Sequence, residues 1–141
     1  MALYDTSVVI DVEKVDLGEY EDGAVVISAV TVGELAHGVG AADRAARELR
    51  LRRVLTSYEV VPFGVEEAKF YGALAELVRA AGRNPRPRRL DLQIAATAAA
   101  ARLPLLTMNP DDFLGVGTLV DVVPMHRMSC CLLYTSDAAD E

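Results

Sequence analysis

Four acidic residues of this chain stand at positions where carboxylates could act together. Asp5 ends a short apolar run, and Asp112 follows another one late in the chain. Glu34 lies in a helical stretch after a second apolar run, and Asp91 lies in the first turn of an almost wholly apolar helix. Taken singly, each has an ordinary explanation as a helix cap, a solvated helix position, a favourable charge at a helix N-terminus or a turn residue. Because all four lie at strand or helix junctions, the set is better evidence for a functional site than any one of its members.

Placed together, these carboxylates would suit a hard divalent cation. Converging carboxyl groups repel one another and raise one another's pKa, and Mg²⁺ or Mn²⁺ removes that penalty. A cation held in this way lowers the pKa of a bound water and stabilises the leaving oxygen when a phosphodiester is cleaved. The chain offers no competing Ser–His pair, because its two histidines are His37 and His126 and the second lies in an irregular C-terminal stretch.

Short apolar strands alternate with helical stretches along the chain. We predict strands at residues 3–4, 24–28, 59–62, 105–107 and 119–123, and helices at 6–12, 31–39, 43–55, 65–81 and 90–103. This alternation predicts an α/β domain with a mostly parallel sheet and helices on both faces. Ligands bind such sheets beyond the carboxyl ends of the strands, so the four acids are expected to meet there.

Composition indicates one globular domain. The chain has 141 residues, of which 52% are hydrophobic, and none of its apolar runs is long enough to span a bilayer. The N-terminus lacks the features of a secretory signal, so we expect a cytoplasmic protein with no membrane partner. The net charge of −7 is unusual for a nucleic-acid binder. Acids gathered around a cation would account for that excess.

Residues 126–141 differ in pattern from the rest of the chain. They follow no helix or strand periodicity, contain both cysteines and resemble the translation of a sequencing adapter. We therefore predict one domain over residues 1–125 and a non-native or disordered tail over residues 126–141.

Four segments, in order, resemble the successive motifs of PIN-domain toxins of the VapC type. They are Asp5–Asp11, Thr31–Leu35, Arg89–Ala98 and Leu105–Phe113. The resemblance covers about residues 1–125 and implies a PIN-like (Rossmann-like) three-layer α/β/α sandwich, a Mg²⁺ or Mn²⁺ cofactor and endonucleolytic cleavage of RNA. It also implies a toxin of a type II toxin–antitoxin pair, with a VapB-like antitoxin as partner, and a homodimer.

The resemblance also assigns the acids. The catalytic and metal-binding residues that it implies are Asp5, Glu34, Asp91 and Asp112. Asp5 and Asp91 are implied as direct ligands. Asp111 is adjacent to Asp112 and leaves the identity of the fourth acid open, although the family pattern places that acid three residues after Asn109 and just before Phe113. This favours Asp112.

Polar and basic residues near the acids are given supporting roles. The resemblance implies that Ser7 and Thr107 hold carboxylates or waters and that Asn109 lies near the acids. An arginine-rich stretch precedes Asp91, and we predict RNA phosphate contacts from three of its residues, namely Arg86, Arg88 and Arg89. A solvated surface is the ordinary explanation for such charge runs.

Three other functions compete with a nuclease. A phosphatase with an aspartate nucleophile would carry a second acid two residues after Asp5, where this chain has Ser7. A receiver domain would need a lysine late in the sheet, but Lys69 is the last lysine of the chain. A PIN-like binding module without turnover is the remaining alternative, and metal-dependent cleavage of RNA distinguishes it from an enzyme.

Overall fold

A five-stranded parallel sheet forms the centre of the molecule. The computed structural model describes residues 1–129. The strands of this sheet are β1 (Ala2–Tyr4), β3 (Val25–Ser28), β4 (Glu59–Val61), β5 (Leu105–Thr107) and β6 (Val122–Pro124), in the spatial order β4-β3-β1-β5-β6. All four of its strand pairings are parallel. The central strand β1 therefore places the residue that follows it in the middle of the carboxyl edge.

Five α-helices connect and cover these strands. They are α1 (Thr6–Ile10), α2 (Ala29–His37), α3 (Arg44–Ser57), α4 (Val65–Ala80) and α5 (Arg89–Ala101). Side-chain caps explain two of the starts, since the Ser28 hydroxyl accepts from the amide of Val30 and the Asp43 carboxylate accepts from the amide of Ala46. Short 3₁₀ turns at Arg86–Arg88 and Pro110–Phe113 flank the carboxyl edge of the sheet.

Each face of the sheet packs against its own hydrophobic cluster. Leu3 and Leu105 pack with the buried residues of α4 and α5, including Leu74. The neighbouring residues Tyr4 and Leu106 pack on the opposite cluster, with the helices α1, α2 and α3. This alternation is the two-residue period of a strand covered on both faces. The predicted three-layer α/β/α sandwich is confirmed.

Two boundaries differ from the sequence predictions. Helix α2 ends at His37 rather than at Val39, because Gly38 takes a left-handed conformation with φ of 108° and its amide caps the helix. At the other end of the chain, β7 (His126–Arg127) pairs antiparallel with β2 (Val15–Asp16). The prediction that the domain ends at residue 125 is therefore wrong for His126 and Arg127. The rest of the predicted tail, from residue 130 on, lies outside the described residues.

None of the helices within residues 1–129 is long and apolar enough to cross a membrane.

Candidate active site

Asp5 lies at the centre of the carboxyl edge of the sheet. Its amide donates to the carbonyl of Leu106 on β5, and its carbonyl accepts from the amide of Val8 in α1. The backbone is therefore fixed at the junction between β1 and α1. The side chain is 4% exposed and does not cap α1, so the simple capping explanation does not hold.

Two hydroxyl groups hold the Asp5 carboxylate. Its Oδ2 accepts from Ser7 Oγ at 2.7 Å and from Thr107 Oγ1 at 2.8 Å. The hydroxyl oxygens accept in turn from backbone amides, Ser7 from Met108 and Thr107 from Asn109, so each hydroxyl has its proton available for Asp5. Burial raises the pKa of Asp5, and the two hydroxyl donors oppose that effect.

Glu34 is held at the same edge by a threonine of α1. Thr6 Oγ1 donates to Glu34 Oε1 at 2.6 Å and lies 2.9 Å from Thr31 Oγ1. Thr6 and Thr31 are buried, and Glu34 is half-buried. The explanation of Glu34 as a solvated helix residue is therefore wrong. Sequence reasoning did not single out Thr6 as a functional residue, although it lies between two residues of a recognised motif.

Asp91 shows that the four acids share one electrostatic environment. Its pKa is raised to about 7, most of all by burial and then by the charges of Asp5, Asp112 and Glu34 in that order, while Arg88 acts in the opposite direction. Asp91 has no side-chain hydrogen bond among residues 1–129. Repulsion from the other three acids therefore acts on a carboxylate that no hydrogen bond from the described residues stabilises.

The structure separates the two adjacent aspartates late in the chain. Asp112 is partly buried and forms an ion pair between its Oδ1 and Arg88 Nη1 at 3.1 Å. Asp111 is exposed and makes no ion pair within the described part of the chain. Both lie in the 3₁₀ turn after β5, where the amide of Asp112 donates to the carbonyl of Asn109. It is Asp112 that this turn brings to the other acids.

Comparisons with known proteins agree with this arrangement. The model of the PIN domain matches residues 2–118 of the chain. The chain belongs to the PIN-domain family. It is 31% identical to a chain of VapBC-5 from Mycobacterium tuberculosis, a member of the VapBC family of toxin–antitoxin systems, with a TM-score of 0.68 over 87% of this chain and 95% of that one.

Two further structures resemble this PIN domain. A toxin–antitoxin complex from Klebsiella pneumoniae contains a chain that is 26% identical, with a TM-score of 0.63 over 87% of this chain and 96% of that one. FitAcB from Neisseria gonorrhoeae gives 25% identity and a TM-score of 0.68 over 86% and 96%. None of the curated proteins matches the chain. The predicted PIN domain of the VapC type is confirmed, and it supports a toxin nuclease, a hydrolase of phosphodiester bonds.

The other residues predicted for the site of this PIN domain are Asn109 and three arginines. The Asn109 side chain makes no hydrogen bond within residues 1–129 and lines a cavity of about 510 Å³ that also includes Ser7. Of the three predicted arginines, Arg88 alone contacts an acid within residues 1–129. Arg89 instead donates to the backbone carbonyl of Arg86 at 3.3 Å, and the side chain of Arg86 makes no ion pair among the described residues.

The donor set has the chemistry of a divalent-cation site. Four carboxylates, one of them deeply buried, gather at one edge, and three of them raise the pKa of the fourth, Asp91. Within residues 1–129, no three acidic, histidine or cysteine side chains already stand close enough to form a complete ligand set. Glu34 accepts from the Thr6 hydroxyl, and Asp112 pairs with Arg88. The residues fit a hard cation by type and charge, because among residues 1–129 Asp112 is the one acid of the four with a cationic partner.

Proposed function

We propose that this PIN domain is an endoribonuclease that depends on Mg²⁺ or Mn²⁺ and acts as the toxin of a type II toxin–antitoxin pair. The observation that carries the proposal is the raised pKa of Asp91, to about 7, under the influence of burial and three other carboxylates. Bringing these carboxylates together costs folding free energy unless a bound positive charge offsets their repulsion. A hard divalent cation supplies that compensation with oxygen ligands.

Each acid has a distinct role in this proposal. Asp5 and Asp91 would hold the cation directly, and Glu34 and Asp112 would complete its surroundings directly or through water. Ser7 and Thr107 keep the Asp5 carboxylate in place by their hydrogen bonds. When bound, the cation supplies Lewis acidity for phosphodiester hydrolysis. Arg88, beside the acids, would contact an RNA phosphate, and Arg86 and Arg89 are proposed as weaker backbone contacts.

A VapB-like antitoxin is the proposed protein partner. The support comes from the similar chains, which belong to structures described as VapBC-5 and as a toxin–antitoxin complex. The ion pair of Arg88 with Asp112 shows that a guanidinium is accommodated beside these carboxylates. An arginine or lysine of the antitoxin inserted there would compete with the cation through charge-assisted hydrogen bonds.

The test of the nuclease is cleavage of total RNA by the purified chain. We expect cleavage with Mg²⁺ or Mn²⁺, none with EDTA and none by Asp5→Asn in either condition. Single-stranded DNA of matched sequence serves as the substrate control. A folded wild-type chain that leaves RNA intact with both cations would make this a PIN-like binding module without turnover. Growth arrest relieved by co-expression of the antitoxin, with copurification of the two proteins, tests the toxin role separately.

A further inference from the structure

A cavity of about 340 Å³ opens beside Asp112 at the edge of the acid cluster. It lies between the end of α4 and the 3₁₀ turn at Arg86–Arg88. Three of its lining residues carry hydrogen-bond donors, and these are Arg83, Asn84 and Arg88. Its volume is at the low end of the range of ligand pockets, roughly that of one nucleotide.

The local backbone fixes Arg83 at the mouth of this cavity. Helix α4 ends in a left-handed Gly82, with φ of 82°, and the amide of Arg83 donates to the carbonyl of Val78 at 3.1 Å. This is the usual glycine-terminated helix end, and it sets where the following residue begins. The Arg83 side chain makes no hydrogen bond or ion pair within residues 1–129. Its guanidinium, which has no partner among the described residues, is available to an anion.

The neighbouring donors are partly committed within the protein. Asn84 Oδ1 accepts from the amide of Arg86 at 3.0 Å, which leaves the Nδ2 donor of Asn84 without a partner among residues 1–129. Arg88 already pairs with Asp112, so its charge is largely balanced. The unbalanced positive charge of the cavity therefore comes from Arg83.

The opposite side of the cavity is apolar. Val78, Pro87 and Leu114 line it, and Leu114 is 46% exposed. Gly115, the residue after Leu114, lies beside the end of α4, where a Cβ on it would be 3.6 Å from Ala81 Cβ. Apolar side chains opposite phosphate-binding donors suit a nucleotide, whose sugar and base present flat or weakly polar surfaces.

We propose that this cavity binds one nucleotide of single-stranded RNA next to the bond that is cut, with Arg83 and Asn84 on its phosphate and the apolar side against its sugar and base. The inference rests on the proposed ribonuclease function. Arginine binds phosphate oxygens through paired N–H donors, which favours a phosphodiester over a neutral ligand. Asp112 connects the cavity to the acid cluster, so a strand that leaves the cavity passes directly to the site of cleavage.

The arginines at positions 83–89 differ in whether they line the cavity. Arg83 and Arg88 line the cavity, whereas Arg86 and Arg89 do not. Arg89 is engaged with the carbonyl of Arg86. If only net charge mattered, removing any one exposed arginine would weaken RNA binding equally. Arg83→Gln and Arg52→Gln therefore form a matched pair, because both remove one exposed positive charge, and Arg52, on α3, does not line the cavity.

The experiment measures cleavage kinetics of the full chain on an unstructured, fluorescently labelled RNA of about twelve nucleotides. For Arg83→Gln we expect KM to rise about fivefold, kcat to stay within about twofold, and the slope of log affinity against log salt to fall by about 0.7. Arg52→Gln should change KM by less than about twofold. Equal effects of the two variants, or no effect of Arg83→Gln, would overturn the proposal.

A second pair of variants tests the apolar side. Leu114→Glu places a negative charge in the cavity and should raise KM by about tenfold or more. Leu119→Glu makes the same change at a leucine that is 40% exposed and does not line the cavity. It should leave KM unchanged, and equal losses from both leucine variants would contradict the subsite. If the wild-type chain does not cleave RNA at all, the proposed function fails first and the subsite fails with it.

Discussion

Replacing Asp91 by Asn should stabilise the protein in EDTA. Asp91 has a pKa of about 7 in the folded chain, against 3.8 for the free side chain. Folding therefore costs free energy whenever the carboxyl group is ionised, and that cost grows as the pH rises from about 4 to 7. Asparagine keeps nearly the same shape without the charge. The variant should thus be more stable than the wild type at neutral and alkaline pH.

The shift sets the size of this effect. A difference of about three pKa units sets an upper limit of about 4 kcal/mol of unfolding free energy at pH 8 and about 2 kcal/mol at pH 5, and solvent screening of this partly exposed side chain reduces both values. The direction is opposite to that of a salt-bridged aspartate, whose stabilisation is lost on acidification. Here, the free-energy cost of the Asp91 charge decreases as the pH falls below 7, and it is absent below about 4.

Urea unfolding followed by circular dichroism, at pH 8 and pH 5 in EDTA, measures both values. Asp111→Asn is the matched control, because Asp111 is exposed and outside the acid cluster, and it should change stability by less than about 0.5 kcal/mol. Mg²⁺ should then stabilise the wild type and have little effect on Asp91→Asn. The reasoning is refuted if Asp91→Asn is no more stable than the wild type at pH 8, or if its advantage does not shrink at pH 5.

Three further outcomes follow from the same contacts. Asp5→Asn should reduce RNA cleavage by about a hundredfold or more, while Asp111→Asn retains wild-type rates in the same gel assay. Thr6→Val should reduce cleavage about tenfold by releasing Glu34, whereas Thr56→Val, on the exposed side of α3, should not. A chain ending at Met125 should melt about 3–5 °C below one ending at Ser129 in a thermal scan. The shorter chain lacks β7 and the ion pair between Arg127 and Asp11. Equal melting temperatures would show that β7 adds no stability.

The parts of the fold that depend on short-range pattern were predictable from the sequence. Strand–helix alternation fixed the sheet, and the buried helix α5 was evident because apolar residues occupy nearly every face of it. The pairing of β2 with β7 was not, since each strand has two residues and the two strands are far apart in the sequence. A two-residue strand leaves no periodic signal, and only the folded core brings its partner near.

For the candidate site, too, the residue types were predictable from the sequence, whereas the contacts between them were not. The acids could be chosen because parallel strands and their helices bring junction residues to one edge. The hydroxyl of Thr6 could not be assigned to Glu34, because the contact depends on how α1 lies against α2. The arginines were chosen by proximity in sequence to Asp91. Arg83 belongs to the same arginine-rich stretch but was not among the three chosen, yet the glycine-terminated end of α4 places it at the cavity, with no side-chain partner among residues 1–129.

The support given to the four acids is unequal, and this inequality bears on how the site would work. Asp5 and Glu34 accept hydrogen bonds from hydroxyl groups, and Asp112 pairs with a guanidinium. Asp91 has neither kind of partner among residues 1–129, and its pKa is raised to about 7. A cation that binds this cluster must therefore displace a proton from Asp91 at pH 6 but hardly any at pH 8. Cation affinity should rise over this interval, with Asp91 as an acid that responds to pH.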